Sequence, residues 1–126
     1  MRLPKNPDGS MDIPQISKMA DMFIEAGGTY FDTAYVYDNG ESEIAMRKAV
    51  VERYPRDKFT LCTKLCAWLQ CHDEASAKQQ FYTSLERTGA GYFDFYLLHD
   101  CKGTITKNTT STIFGISLRN KKKKAL

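Results

Sequence analysis

Apolar positions in the first hundred residues switch repeatedly between two spacings. Ile13, Ile16, Met19, Ala20, Phe23 and Ile24 recur three and four apart, as on one helix face. Pro14 suits the first turn, where its missing N–H costs nothing. Gly27-Gly28 stops the helix, since glycine tolerates a left-handed cap. A short aromatic strand, Tyr30 to Asp32, follows at once. Gly40-Glu41-Ser42-Glu43 opens a second helix with acids at the positive pole of its dipole. That helix runs to about Tyr54, with Ile44, Ala45, Ala49 and Val51 on a broad apolar face, and Pro55 ends it. Lys58 to Lys64 is nearly continuous in apolar or β-branched residues and predicts a buried parallel strand. Leu65 to His72 is a loop. Asp73-Glu74 starts a third helix lined by Ala77, Phe81, Ser84, Leu85 and Thr88, with Gly89 and Gly91 at its exit. Tyr92 to Leu98 is the next strand. Beyond His99 the pattern blurs into a threonine-rich polar stretch, and Ile113 to Lys124 predicts a weakly patterned fourth helix.

Strands alternating with helices predict an α/β fold of parallel β/α units. At 126 residues the chain has room for one domain and one core. Four polar residues sit at or just past the ends of the strand-like runs: Asp32, Tyr37, Lys64 and His99. In a β/α barrel that end of the strands is the catalytic face. In an open doubly wound sheet it is the ligand side. No G-x-G-x-x-G follows the first strand, so a Rossmann dinucleotide site has no support.

Composition narrows the classes further. The hydrophobic fraction is 42% and the charged fraction 26%, ordinary for a globular chain. No apolar run approaches the roughly 18 residues of a membrane span, and no signal peptide is visible. The net charge of +3 comes partly from Lys121 to Lys124. Those lysines lack interleaved aromatics, so they read as a solvated helix end, with nucleic acid not expected as a partner. Cys62, Cys66, Cys71 and Cys101 include no C-x-x-C pair, so no metal and no disulfide framework are expected. The expected compartment is cytoplasmic.

The chain resembles the aldo-keto reductases. The resemblance is carried by Gly28-Thr29-Tyr30-Phe31-Asp32-Thr33-Ala34, Tyr37, Gly40-Glu41-Ser42-Glu43, Thr63-Lys64, Ser84-Leu85-Glu86-Arg87 and Asp94-Phe95-Tyr96-Leu97-Leu98-His99. These pieces occur in the family's order over about residues 1 to 100. Their flavour is similar to bacterial members that carry an iron-sulfur segment near the C-terminus, which these cysteines do not reproduce. The resemblance implies roughly the first half of a (β/α)8 TIM barrel, a fold that takes typically about 250 residues. Met1 to Pro4 would be the tail of the first strand, and residues 101 to 126 match poorly. The expectation is a single partial barrel domain over 1 to 126, a truncated reductase from a partial reading frame. Its exposed barrel edges would favour self-association.

The resemblance also implies NADPH or NADH as cofactor and a small-molecule carbonyl compound as substrate. Tyr37 would donate the proton. A phenol titrates near ~10, and an ammonium such as Lys64 favours the phenolate. Asp32 would pair with Lys64 and border the cofactor, and His99 would orient the carbonyl. Most cofactor contacts in the family come from later strands, so a non-catalytic remnant or regulatory subunit is the alternative. Taken singly, each residue has an ordinary reading: Asp32 as a turn cap, Tyr37 or its neighbour Tyr35 as packing, Lys64 as a solvated strand end, His99 as a core histidine.

Overall fold

The computed structural model describes residues 2–69, 71 and 73–99. The fourth helix expected over Ile113 to Lys124, the lysine run and Cys101 lie outside the described residues. Helices α1 (Ile13–Glu25), α2 (Glu41–Met46) and α3 (Glu74–Thr88) alternate with strands β1 (Tyr30–Asp32), β2 (Thr60–Leu65) and β3 (Phe95–Leu98). The strands form one parallel sheet in the order β1-β2-β3. None of the described helices is long and apolar enough to cross a membrane.

The ends of the helices follow their sequence signals. Asp12 caps α1, accepting from the Gln15 N–H at 3.0 Å. Gly27, at φ +86°, lets the chain turn out of α1 toward β1. Asp73 and Ser76 form a reciprocal capping box at the start of α3.

Three segments depart from the sequence reading, each for a local reason. Arg2 to Pro4 belong to no strand. Lys5 instead bridges Met11 in antiparallel fashion around an Asn6-Pro7-Asp8-Gly9 turn, because those residue types favour a reversal over an extended run. The second helix is not uniform to Tyr54. Past Met46 it widens into a π turn, Arg47–Val51, in which the Glu52 N–H donates to the Arg47 carbonyl at 2.9 Å. Val50 is fully buried in the core, and Val51 packs against it partly buried. Finally, β3 begins at Phe95 and not at Tyr92. Asp94 bonds Leu61 with its carboxylate (2.8 Å from the Leu61 N–H) as well as its own N–H (3.0 Å to the Leu61 carbonyl). A side chain has replaced one backbone partner, so the regular ladder starts one residue later. Arg56 anchors that carboxylate at 2.6 Å.

The two faces of the sheet differ. On the helix side, Leu61, Thr63 and Leu65 are fully buried beneath α2 and α3. The core continues through Ile16 and Ala20 of α1 with Ala45, Met46, Ala49, Val50 and Phe59. On the other face, Tyr30, Phe95 and Leu97 remain 46%, 51% and 43% exposed. Met19 and Phe23, expected in the apolar face of α1, are about half exposed; Ile16 and Ala20 are the residues of α1 that are fully in the core, and Phe23 meets Phe31 edge-on at its margin.

Candidate active site

The parallel register brings the chemistry together. Asp32 pairs with Cys62 in the ladder, so Lys64, two residues on and on the same face, rises just past the end of β1. The Lys64 ammonium donates to the Asp32 carboxylate, to the Thr33 carbonyl at 2.8 Å and to the Tyr37 phenol oxygen at 3.4 Å. It has three protons to give and three acceptors to receive them. Its side chain is 13% exposed, so this charge is held by geometry and not by solvent. His99 follows β3 directly, its N–H bonded to the Leu65 carbonyl at 2.9 Å. The His99 ring meets Tyr37 edge-on at 5.1 Å between centroids. All four residues singled out from the sequence therefore lie around one mouth at the carboxyl ends of the strands.

The turn between the two tyrosines sends them to different neighbours. Tyr37 faces Lys64. Tyr35 points away and stacks under the Arg87 guanidinium at 4.5 Å. A third phenol, Tyr30, lies deeper on the same face as Asp32. The Cys62 side chain hydrogen-bonded to it and partial burial push Tyr30 up to about 12, so it keeps its proton at neutral pH. Burial likewise pushes the Cys62 and Cys66 thiols up, which keeps them protonated and weakly nucleophilic.

Sequence reasoning passed over several residues that shape this mouth. Trp68, 56% exposed, sits 5.1 Å from the His99 ring and forms an aromatic wall. Gln80 is buried in α3, where it fixes the loop after β2 by accepting from the Cys66 N–H and donating to the Cys66 and Leu69 carbonyls. Glu43 is wholly buried yet bonded to Thr63 and Arg87. Glu43 and its partner Arg87 stand in the runs Gly40-Glu41-Ser42-Glu43 and Ser84-Leu85-Glu86-Arg87 that carry the family resemblance. Nothing in those runs says which acid turns inward.

Comparison with known proteins bears on what this constellation belongs to. The sequence profile of the aldo/keto reductase family matches residues 1–115. The chain belongs to the aldo/keto reductase family. An aldo-keto reductase of Mycolicibacterium smegmatis is 32% identical over 104 residues, covering 82% of this chain and 35% of the relative. Human aflatoxin B1 aldehyde reductase member 4 is 30% identical over 91 residues, covering 71% of this chain and 28% of the relative. A crystal structure of a Klebsiella pneumoniae aldo-keto reductase in complex with NADPH superposes with a TM-score of 0.68 at 26% identity, over 82% of this chain and 35% of that one. The chain thus spans roughly a third of the length of each of these three proteins. Its partial parallel sheet, with helices on one face, is consistent with the first half of the family's β/α barrel.

Proposed function

We propose that this chain carries the proton-delivering site of an NAD(P)H-dependent reductase that converts aldehydes or ketones to alcohols. One observation supports this above the rest. A well-buried ammonium, Lys64, is shared between a carboxylate and a phenol at the mouth of a parallel sheet. When bound, a reduced nicotinamide supplies the hydride. Tyr37 gives its hydroxyl proton to the carbonyl oxygen, and the ammonium beside it stabilises the phenolate left behind. Asp32 holds Lys64 aimed at the phenol. His99, against the Tyr37 ring, lines the same mouth and orients the carbonyl.

The residues present fit the nicotinamide end of that cofactor. Asp32 keeps its side chain 37% exposed, leaving a carboxylate edge for a ribose hydroxyl. The face below it is open and aromatic. NADPH bound to the Klebsiella relative supports the same cofactor class here.

The test is carbonyl-dependent loss of NADPH absorbance with the full chain. Tyr37→Phe and Lys64→Met should each lower the rate by about 100-fold or more. Undiminished turnover by Tyr37→Phe would overturn the role given to the phenol. A second reading, a non-catalytic remnant or regulatory subunit, draws support from the uncovered inner face with Tyr30, Phe95 and Leu97. It expects no NADPH binding by the chain alone, measurable by calorimetric titration. Self-association through that face is the companion proposal, and sedimentation showing a well-folded monomer at high concentration would count against it.

A further inference from the structure

The backbone just after Tyr37 is unusual. Asp38 (φ 49°, ψ 42°), Asn39 (φ 57°, ψ 31°) and Gly40 (φ 94°) are consecutive left-handed residues. Asp and Asn tolerate that region better than most residues, but each still adopts it at some cost. Such a run persists only where its surroundings fix it. Two contacts do so. Lys5 pairs with Asp38 at 2.7 Å from the solvent side. From the inside, Arg87 of α3 donates to the Tyr35 carbonyl at 2.9 Å and lies flat against Gly40. A Cβ at Gly40 would stand 2.6 Å from the Arg87 Cζ atom, so glycine is what lets the guanidinium approach.

Arg87 is in turn fixed by Glu43. The Glu43 carboxylate is fully buried, accepting from Arg87 at 3.2 Å and from the Thr63 hydroxyl at 2.7 Å. Thr63 immediately precedes Lys64. One buried acid therefore ties together the turn that presents the phenol, the strand that presents the ammonium, and α3. Beside it, the Thr33 and Ser42 hydroxyls bond at 2.9 Å and pin the end of β1 to α2 in the same layer.

We propose that Arg87, anchored by Glu43, is a positioning residue that sets the Tyr37 phenol at its distance from Lys64 from behind the sheet. Arg87 touches neither phenol nor ammonium. It acts by clamping the left-handed turn through Tyr35 and Gly40. This inference rests on the proton-donor role of Tyr37, but its consequence for the Tyr37 ring does not depend on turnover.

The test is fluorine NMR of the full chain labelled with meta-fluorotyrosine, with the Tyr37 signal assigned by its loss in Tyr37→Phe. In Arg87→Met the Tyr37 and Tyr35 signals should move or broaden, while that of Tyr54, hydrogen-bonded to Asp21 of α1, stays in place. Arg87→Lys should restore the Tyr37 signal only in part, since an ammonium can bond the two acceptors that the single Arg87 Nη1 now holds but cannot lie flat against Gly40. Gly40→Ala, which displaces the guanidinium without removing its charge and also strains a backbone at φ +94°, should move the Tyr37 signal at least as far as Arg87→Met does. A Tyr37 signal unmoved in a folded Arg87→Met overturns the proposal. If that variant does not fold, an unmoved signal in both Arg87→Lys and Gly40→Ala overturns it instead. With a turning-over wild type, Arg87→Met should lower kcat about tenfold and leave KM nearly unchanged. A wild type that never turns over would defeat the reductase reading yet leave the NMR outcome to judge the clamp.

Discussion

The two faces of the sheet make opposite use of the same three strands. Toward the helices, Leu61, Thr63 and Leu65 are sealed, and even the buried Glu43 has its partners within the chain. On the inner face, Asp32 and Lys64 are matched with each other, but Tyr30, Phe95 and Leu97 on the same face are left half open. A barrel interior is filled by layers of side chains from alternate strands, and three strands supply only part of each layer. Stability is thus concentrated on the helix side. The inner face carries the proposed chemistry and has the most to gain from further cover.

The comparison is most easily broken by substitutions on each face. Leu61→Ala empties a fully buried site in the helix-side core and should cost about 3 to 5 kcal/mol by urea denaturation. Glu43→Ala should cost about 3 kcal/mol by the same measurement, because it leaves the Arg87 charge and the Thr63 hydroxyl without their buried acceptor. Phe95→Ala sharpens the contrast. If the inner face is as open in solution as it is here, the loss should be under about 1 kcal/mol. A loss as large as that of Leu61→Ala, growing with protein concentration, would show that a second copy covers the face.

Two smaller effects concern titration. Burial holds the Cys62 and Cys66 thiols above their ordinary value, so alkylation followed by peptide mass analysis should be slow at both at neutral pH and accelerate only in alkali. Rapid labelling of Cys62 at pH 7 would mean that the inner face opens further than described. On the helix side, bonds from Arg53 and Tyr54 hold the Asp21 carboxyl below its ordinary 3.8. A depressed carboxyl contributes stability that is fully present above the unfolded value and is lost as pH falls through the folded one. Asp21→Asn should therefore lower stability slightly across the neutral range, and the difference from the parent chain should shrink as pH falls below about 4, leaving a flatter acid limb.

Much of this was legible in the chain. Helical spacing, short and nearly continuous apolar runs, and the glycine, proline and acidic residues that bound them located the three strands and three helices, because burial leaves that imprint locally. Asp32, Tyr37, Lys64 and His99 were identifiable because parallel β/α units deliver consecutive strand ends to one side. The π turn at Arg47–Val51 was not legible, since one extra residue per turn leaves no compositional mark. Nor was the start of β3, where Asp94 substitutes its carboxylate for a backbone partner.

By itself the sequence determined which elements form and which four polar side chains reach the strand ends. Only the tertiary structure decided that Glu43 turns inward to Thr63 and Arg87, that Tyr35 goes beneath the guanidinium, and that Tyr37 goes to Lys64. The reason is that a buried charge is tolerable only where partners distant in sequence converge on it, and convergence across 20 to 44 positions is a property of the packed layers, not of any local run.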